Sequence, residues 1–75
     1  MHVVYDTSQF STRLSDAIEQ SHTCAKELAT DTGIGYNTVL AYMRGERNPT
    51  MNNIVLLCEA LQIRADWLLG AKLQP

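Results

Sequence analysis

Ala25-Lys26-Glu27-Leu28-Ala29-Thr30-Asp31-Thr32-Gly33-Ile34-Gly35-Tyr36-Asn37-Thr38-Val39-Leu40-Ala41-Tyr42-Met43-Arg44 is the stretch that decides the fold. It holds two runs with helical spacing, one placing Leu28 and Ala29 inward and the other Val39 and Tyr42. Two helices that cross steeply through a turn of three or four residues approach closely, so a small side chain is needed at the crossing, and Ala29 fits. The turn needs a residue tolerant of positive φ, which Gly33 supplies, and Ile34 plugs the corner. These are the requirements of a helix-turn-helix. Once Val39 and Tyr42 are committed to the core, Tyr36, Asn37, Leu40, Ala41 and Arg44 are left on the opposite face of the second helix.

On either side of this pair the spacing predicts three further helices. A first, over roughly 8–20, carries Phe10, Leu14, Ala17 and Ile18 on one face, with Thr7 or Ser8 as its N-cap. The second is expected from Cys24 or Ala25 to Asp31 and the third over about 36–44, closed by Gly45 as Gly33 closes the second. Pro49-Thr50 sets up a fourth, capped by Thr50, with Ile54, Leu57, Cys58 and Leu61 as its buried stripe and Ala60 beside it. A short fifth around Ala65–Leu69 carries Trp67, Leu68 and Leu69. No period-2 segment longer than Val3-Val4-Tyr5 is present, so the expected fold class is all-α: five short helices in one domain over 1–75, with 1–7 as an amino-terminal arm and 71–75 as a carboxy-terminal tail.

The chain resembles the Cro/repressor-type, or lambda-repressor-like, helix-turn-helix regulators. Glu27-Leu28-Ala29, Thr32-Gly33-Ile34, Tyr42-Met43-Arg44-Gly45-Glu46-Arg47-Asn48-Pro49-Thr50, Glu59-Ala60-Leu61-Gln62-Ile63 and Asp66-Trp67-Leu68-Leu69-Gly70 carry the likeness, in order, from about Phe10 to Gly70. The resemblance implies a five-helix bundle that binds double-stranded DNA as a transcription regulator of phage or prophage type, placed in the bacterial cytoplasm and on the nucleoid when bound. Three positions differ from the family's pattern. Ala25 stands where a Gln often anchors a phosphate, Gly35 where a Ser or Thr often caps the third helix, and Met43 where many members have Glu. With Ala25, phosphate holding passes to backbone N–H groups at that helix start and to Thr23 or Lys26.

Chemistry assigns the exposed face its expected roles. Asn37 can read adenine with a paired donor and acceptor, worth about 1–3 kcal/mol of discrimination. Tyr36 can stack on or donate to a base edge or a phosphate. Leu40 and Ala41 offer apolar contact to a thymine methyl, Leu40 having the core as its alternative. Lys26, Thr38, Arg44, Arg47 and Asn48 are the phosphate candidates, with Arg47 equally able to form a surface ion pair worth only ~0–1 kcal/mol.

Composition removes other classes. Six Lys and Arg against eight Asp and Glu give a net charge of −2, which argues against a polybasic nucleic-acid binder. Sorted by position, residues 22–48 are neutral, with Lys26, Arg44 and Arg47 against Glu27, Asp31 and Glu46. The longest uncharged apolar stretch, Ile54–Cys58, is far short of a membrane span, and no charged segment followed by an apolar one opens the chain as a secretory signal. Cys24 and Cys58 read as small apolar residues in a reducing compartment. His22 with Cys24 offers two ligands where structural zinc needs four, so no metal or other cofactor is expected. No nucleophile–base set and no carboxylate pair point to an enzyme, and no small-molecule ligand is called for.

One recognition helix reads only a few base pairs, so a homodimer on a pseudo-palindrome is expected. Its interface candidates are Trp67, Leu69 and Leu73, with Val3 and Tyr5 if Val3-Val4-Tyr5 is a strand or packing arm rather than a frayed end. Two alternatives share the fold: an antitoxin that binds a toxin and regulates its own gene, and a protein-interaction module without DNA affinity.

Overall fold

The computed structural model describes the backbone of residues 2–5 and 7–74 and the side chains of residues 8–71. Strand β1 (His2–Tyr5) leads through a 3-10 turn (Thr7–Gln9) into α1 (Phe10–Gln20), α2 (Ala25–Thr32), α3 (Tyr36–Met43), α4 (Met51–Leu61), α5 (Ala65–Leu68) and β2 (Ala71–Gln74). The five expected helices are all present. The segments set apart as arm and tail meet each other: β1 and β2 form a two-stranded antiparallel ladder, with His2 opposite Gln74 and Tyr5 opposite Ala71.

The core is the intersection of the apolar stripes. Leu14 of α1, Leu28 of α2, Val39 of α3, Leu57 of α4 and Leu68 of α5 are fully buried, one from each helix, and Phe10, Ile18, Tyr42, Ile54 and Leu61 surround them. Burying each of these large side chains contributes about 1.5–3 kcal/mol. Phe10 meets Tyr42 edge to face at 5.7 Å between centroids, which fixes α3 against α1.

Helix ends explain most of the boundaries. Thr50 caps α4 as expected, its hydroxyl accepting from the Asn53 N–H at 3.1 Å. The expected cap of α1 at Thr7 or Ser8 is corrected. The chain enters through the 3-10 turn, Gln9 at the N-cap position has helical φ and ψ, and its side chain makes no capping bond. At the other ends, the N–H two residues beyond the last turn reaches back to Ile18, Ala41 and Cys58 carbonyls from Thr23, Glu46 and Ile63. Each such closure needs one left-handed residue. Gly45 (φ 73°) serves α3, but His22 and Gln62, both at φ 55°, serve α1 and α4.

One smaller expectation is also corrected. Cys24 is exposed at the N-cap position of α2, where its backbone is extended, and only Cys58 is partly buried. Ala60 is exposed, because the buried stripe of α4 leaves it on the solvent side.

Candidate nucleic-acid interface

The turn between α2 and α3 is built as the residues demand. Gly33 is left-handed (φ 78°), and its N–H donates to the Ala29 carbonyl at 2.9 Å. The Thr32 hydroxyl donates to the Leu28 carbonyl at 2.8 Å and accepts from the Ile34 N–H at 3.1 Å, so one side chain clamps the end of α2 to the start of the turn. Ile34 and Ala29 are buried beneath the crossing. Gly35 is extended at the N-cap of α3 and contributes no side-chain capping bond.

With Val39 and Tyr42 buried, α3 is fixed in rotation. At about 100° per residue, Tyr36, Asn37, Leu40, Ala41 and Arg44 fall within an arc of about 140° on the side away from those two. Tyr36 is 49% exposed, Asn37 and Arg44 are exposed, and Thr38, Leu40 and Ala41 are half-buried. Leu40 thus sits between its two readings, at the edge of the exposed face. Tyr36 also borders a groove of about 550 Å3 shared with Lys26, Ala29, Thr30 and Ile34, which brings the α2 lysine and the first residue of α3 to one concavity.

Two side chains outside the motif tie helices together, one of them holding α3 to α4, and neither tie is legible in the sequence. Asn53 of α4 donates from Nδ2 to the Tyr42 hydroxyl at 2.9 Å, tying the buried side of α3 to α4. Arg13 of α1 donates to the Trp67 carbonyl, with its guanidinium 5.4 Å from the indole centroid. A buried tyrosine hydroxyl is itself a signal that a polar partner is near.

The charges are sparse. Arg44 lies 3.9 Å from Glu46, both exposed, while Lys26 and Arg47 form no ion pair among the described residues. Glu27 accepts from the Thr23 hydroxyl at 3.0 Å, which occupies Thr23 beside the start of α2. The loop residues Arg47 and Asn48 stand against α1 rather than beside Lys26 and Tyr36. Of the interface candidates, Trp67 is 36% exposed and Leu69 is half-buried against the core. Val3, Tyr5 and Leu73 lie in the ladder, their side chains outside the described residues. Exposed Met51 and Val55 on α4 were not singled out by periodicity, which marks only the buried stripe. His22 and Cys24 belong to no group of three or more metal-ligating side chains among the described residues. No described helix is long and apolar enough to cross a membrane.

The helix-turn-helix family model matches residues 16–68, from within α1 to the end of α5. The chain belongs to this helix-turn-helix family. Among solved structures, this helix-turn-helix protein is similar to the restriction-modification controller protein C.AhdI from Aeromonas hydrophila. The two share 30% identity and a TM-score of 0.76, over 80% of this chain and 91% of that one. It is also similar to the DNA-binding domain of the P22 C2 repressor, with a TM-score of 0.79 over 87% of this chain and 86% of that one. The identity there is 23%, so that likeness is one of fold. No curated protein matches the chain in sequence. The Cro/repressor-type resemblance carried by its motifs is therefore its family, and the all-α five-helix domain is its fold.

Proposed function

We propose that this helix-turn-helix protein is a sequence-specific double-stranded-DNA-binding transcription regulator, a repressor acting as a homodimer on a pseudo-palindromic operator. The observation that carries this reading is the fixed rotation of α3. Val39 and Tyr42 are locked inward, so Tyr36, Asn37, Leu40, Ala41 and Arg44 are presented outward on a helix of the family's recognition motif. In this reading α3 lies in the major groove. Asn37 reads adenine, Tyr36 contacts an adjacent base edge, and Leu40 and Ala41 meet thymine methyls. Lys26, Thr38, Arg44, Arg47 and Asn48 hold phosphates and set the register.

Two copies place two such helices one turn of DNA apart, about 34–36 Å. Exposed Trp67, Leu69 beside it and the terminal ladder support an interface on the α5 side. The similarity to the restriction-modification controller protein supports the regulatory reading.

Selection of bound sequences from random duplexes with the purified protein tests all of this together. The expected result is an inverted repeat whose half-sites are one helical turn apart. Asn37→Ala is expected to relax one base position in each half-site, and Arg44→Ala to weaken all sequences alike. No enriched sequence, or selection unchanged in both variants, would remove the α3 assignment and favour a protein-binding role for the fold.

A further inference from the structure

Among the described residues β1 and β2 are the only strands, so each has one edge with no strand beside it. A two-stranded ladder is marginal by itself and gains stability from a covering helix or a further strand. β2 lies against α5, whereas the chief neighbour of β1 is β2. The two open edges also differ in sequence. β2 carries Lys72, the kind of residue that keeps an edge from pairing. The His-Val-Val-Tyr of β1 holds no Asp, Glu, Lys, Arg, Pro or Gly and is rich in β-branched and aromatic residues. Register adds a third observation. Residues opposite each other share a face, so Val3, Tyr5, Ala71 and Leu73 form an apolar set on one face, and Val4 stands with Lys72 on the other.

We propose that the free edge of β1 pairs antiparallel with the same edge of a second copy of this chain, joining two ladders into one four-stranded sheet in the order β2-β1-β1-β2. The proposal rests on the homodimer reading above and names the surface that joins the copies. A two-fold axis normal to the sheet gives each copy the same contacts and keeps both apolar sets on one side of the sheet. Centred on Val4, it sets Val4 opposite Val4 of the second copy. Val3 then stands opposite Tyr5 of the second copy, a β-branched residue against an aromatic one. The pairing gives each β1 a strand on both sides and doubles the apolar face. It leaves Lys72 on both outer edges, so growth stops at two copies. No residue of α3 takes part, which leaves both copies free to hold DNA.

Sedimentation equilibrium of the wild type, of Val4→Glu and of the double variant Val4→Lys/Lys72→Glu tests the pairing. Both variants keep opposite charges facing each other inside the ladder, at positions 4 and 72, but set like charges facing each other across the axis. Each variant alone is therefore expected to self-associate roughly tenfold more weakly than the wild type with its helix content unchanged, and an equimolar mixture of the two to recover the dimer. Amide hydrogen exchange on the wild type needs no substitution and is expected to slow in β1 as protein concentration rises. Exchange in β1 that ignores concentration while the protein dimerises would overturn the strand pairing. A dimer undiminished in Val4→Glu overturns it as well and leaves the homodimer reading standing. A wild type that stays monomeric overturns both. A wild type that pairs through β1 but selects no duplex supports the pairing and overturns the DNA-binding reading.

Discussion

Gln62 and His22 adopt a left-handed backbone with a side chain attached, in closures that Gly45 makes without one. The left-handed conformation costs a non-glycine residue roughly 1–2 kcal/mol. Gln62→Gly is therefore expected to stabilise the domain by up to about 1 kcal/mol, the greater freedom of glycine in the unfolded chain offsetting part of the gain. Urea unfolding measures it, and a loss of stability would show that the Gln62 side chain contributes contacts of its own. A different local effect governs Glu46, whose carboxylate sits 3.9 Å from Arg44 at the end of the reading helix. Arg44 must exchange that partner for a phosphate, so Glu46→Gln is expected to raise DNA affinity several-fold at low salt and less at high salt; unchanged affinity would place Arg44 away from the backbone. At Asp66, hydrogen bonds from the Arg64 guanidinium hold the carboxyl below its ordinary range, and the Trp67 N–H adds to this. A depressed carboxyl contributes stability that is present above the unfolded-state pKa and lost as pH falls through the folded one. Asp66→Asn should accordingly remove part of the acid-side decline, read as unfolding midpoint against pH.

Helices α3 and α4 behave as one unit because Tyr42 and Asn53 join them and Thr50 caps the second. Tyr42→Phe keeps the ring and its edge contact with Phe10 but removes the bond, at a cost of about 0.5–1.5 kcal/mol. Asn53→Ala should cost a similar amount and the double variant less than the sum; additivity in thermal melts would mean the bond contributes nothing. These ties show where sequence reading succeeds and where it stops. The helix interiors were legible because burial imposes a 3.6-residue period, and the caps at Gly33, Gly45 and Thr50 because only a few residue types suit those backbones. The start of α1 was misread for the converse reason. Thr7 and Ser8 are good capping residues, but the chain runs through them as a 3-10 turn, which their identity does not reveal. Strand β2 was missed because Ala71–Gln74 is too short for alternation to register, and its partner lies at the far end of the chain. In the candidate interface, the outward set on α3 followed from the inward set, whereas the placing of Arg47 and Asn48 against the start of α1 depends on a loop fold that no local pattern encodes.

A net charge of −2 first argued against nucleic acid, and the structure turns it into a quantity. Only Lys26, Arg44 and Arg47 stand as cations among the proposed contacts, so a dimer neutralises at most about six phosphates. The slope of log affinity against log salt should then be no steeper than about −5. A steeper slope would mean that Arg13, Arg64 or Lys72 also reaches DNA. Affinity so modest per subunit makes pairing decisive. Trp67→Ala, at an exposed aromatic residue that Arg13 covers from one side, is expected to shift sedimentation toward monomer and to make DNA binding steeply dependent on protein concentration.

The ladder of β1 and β2 has one more consequence. Because His2 lies opposite Gln74, the chain enters and leaves the ladder side by side, about 5 Å apart at its outermost paired residues. Anything spliced to one end emerges next to anything spliced to the other, and a peptide of a few residues could join them into a ring. A backbone cyclised in this way would keep α3 untouched and could not fray from its ends.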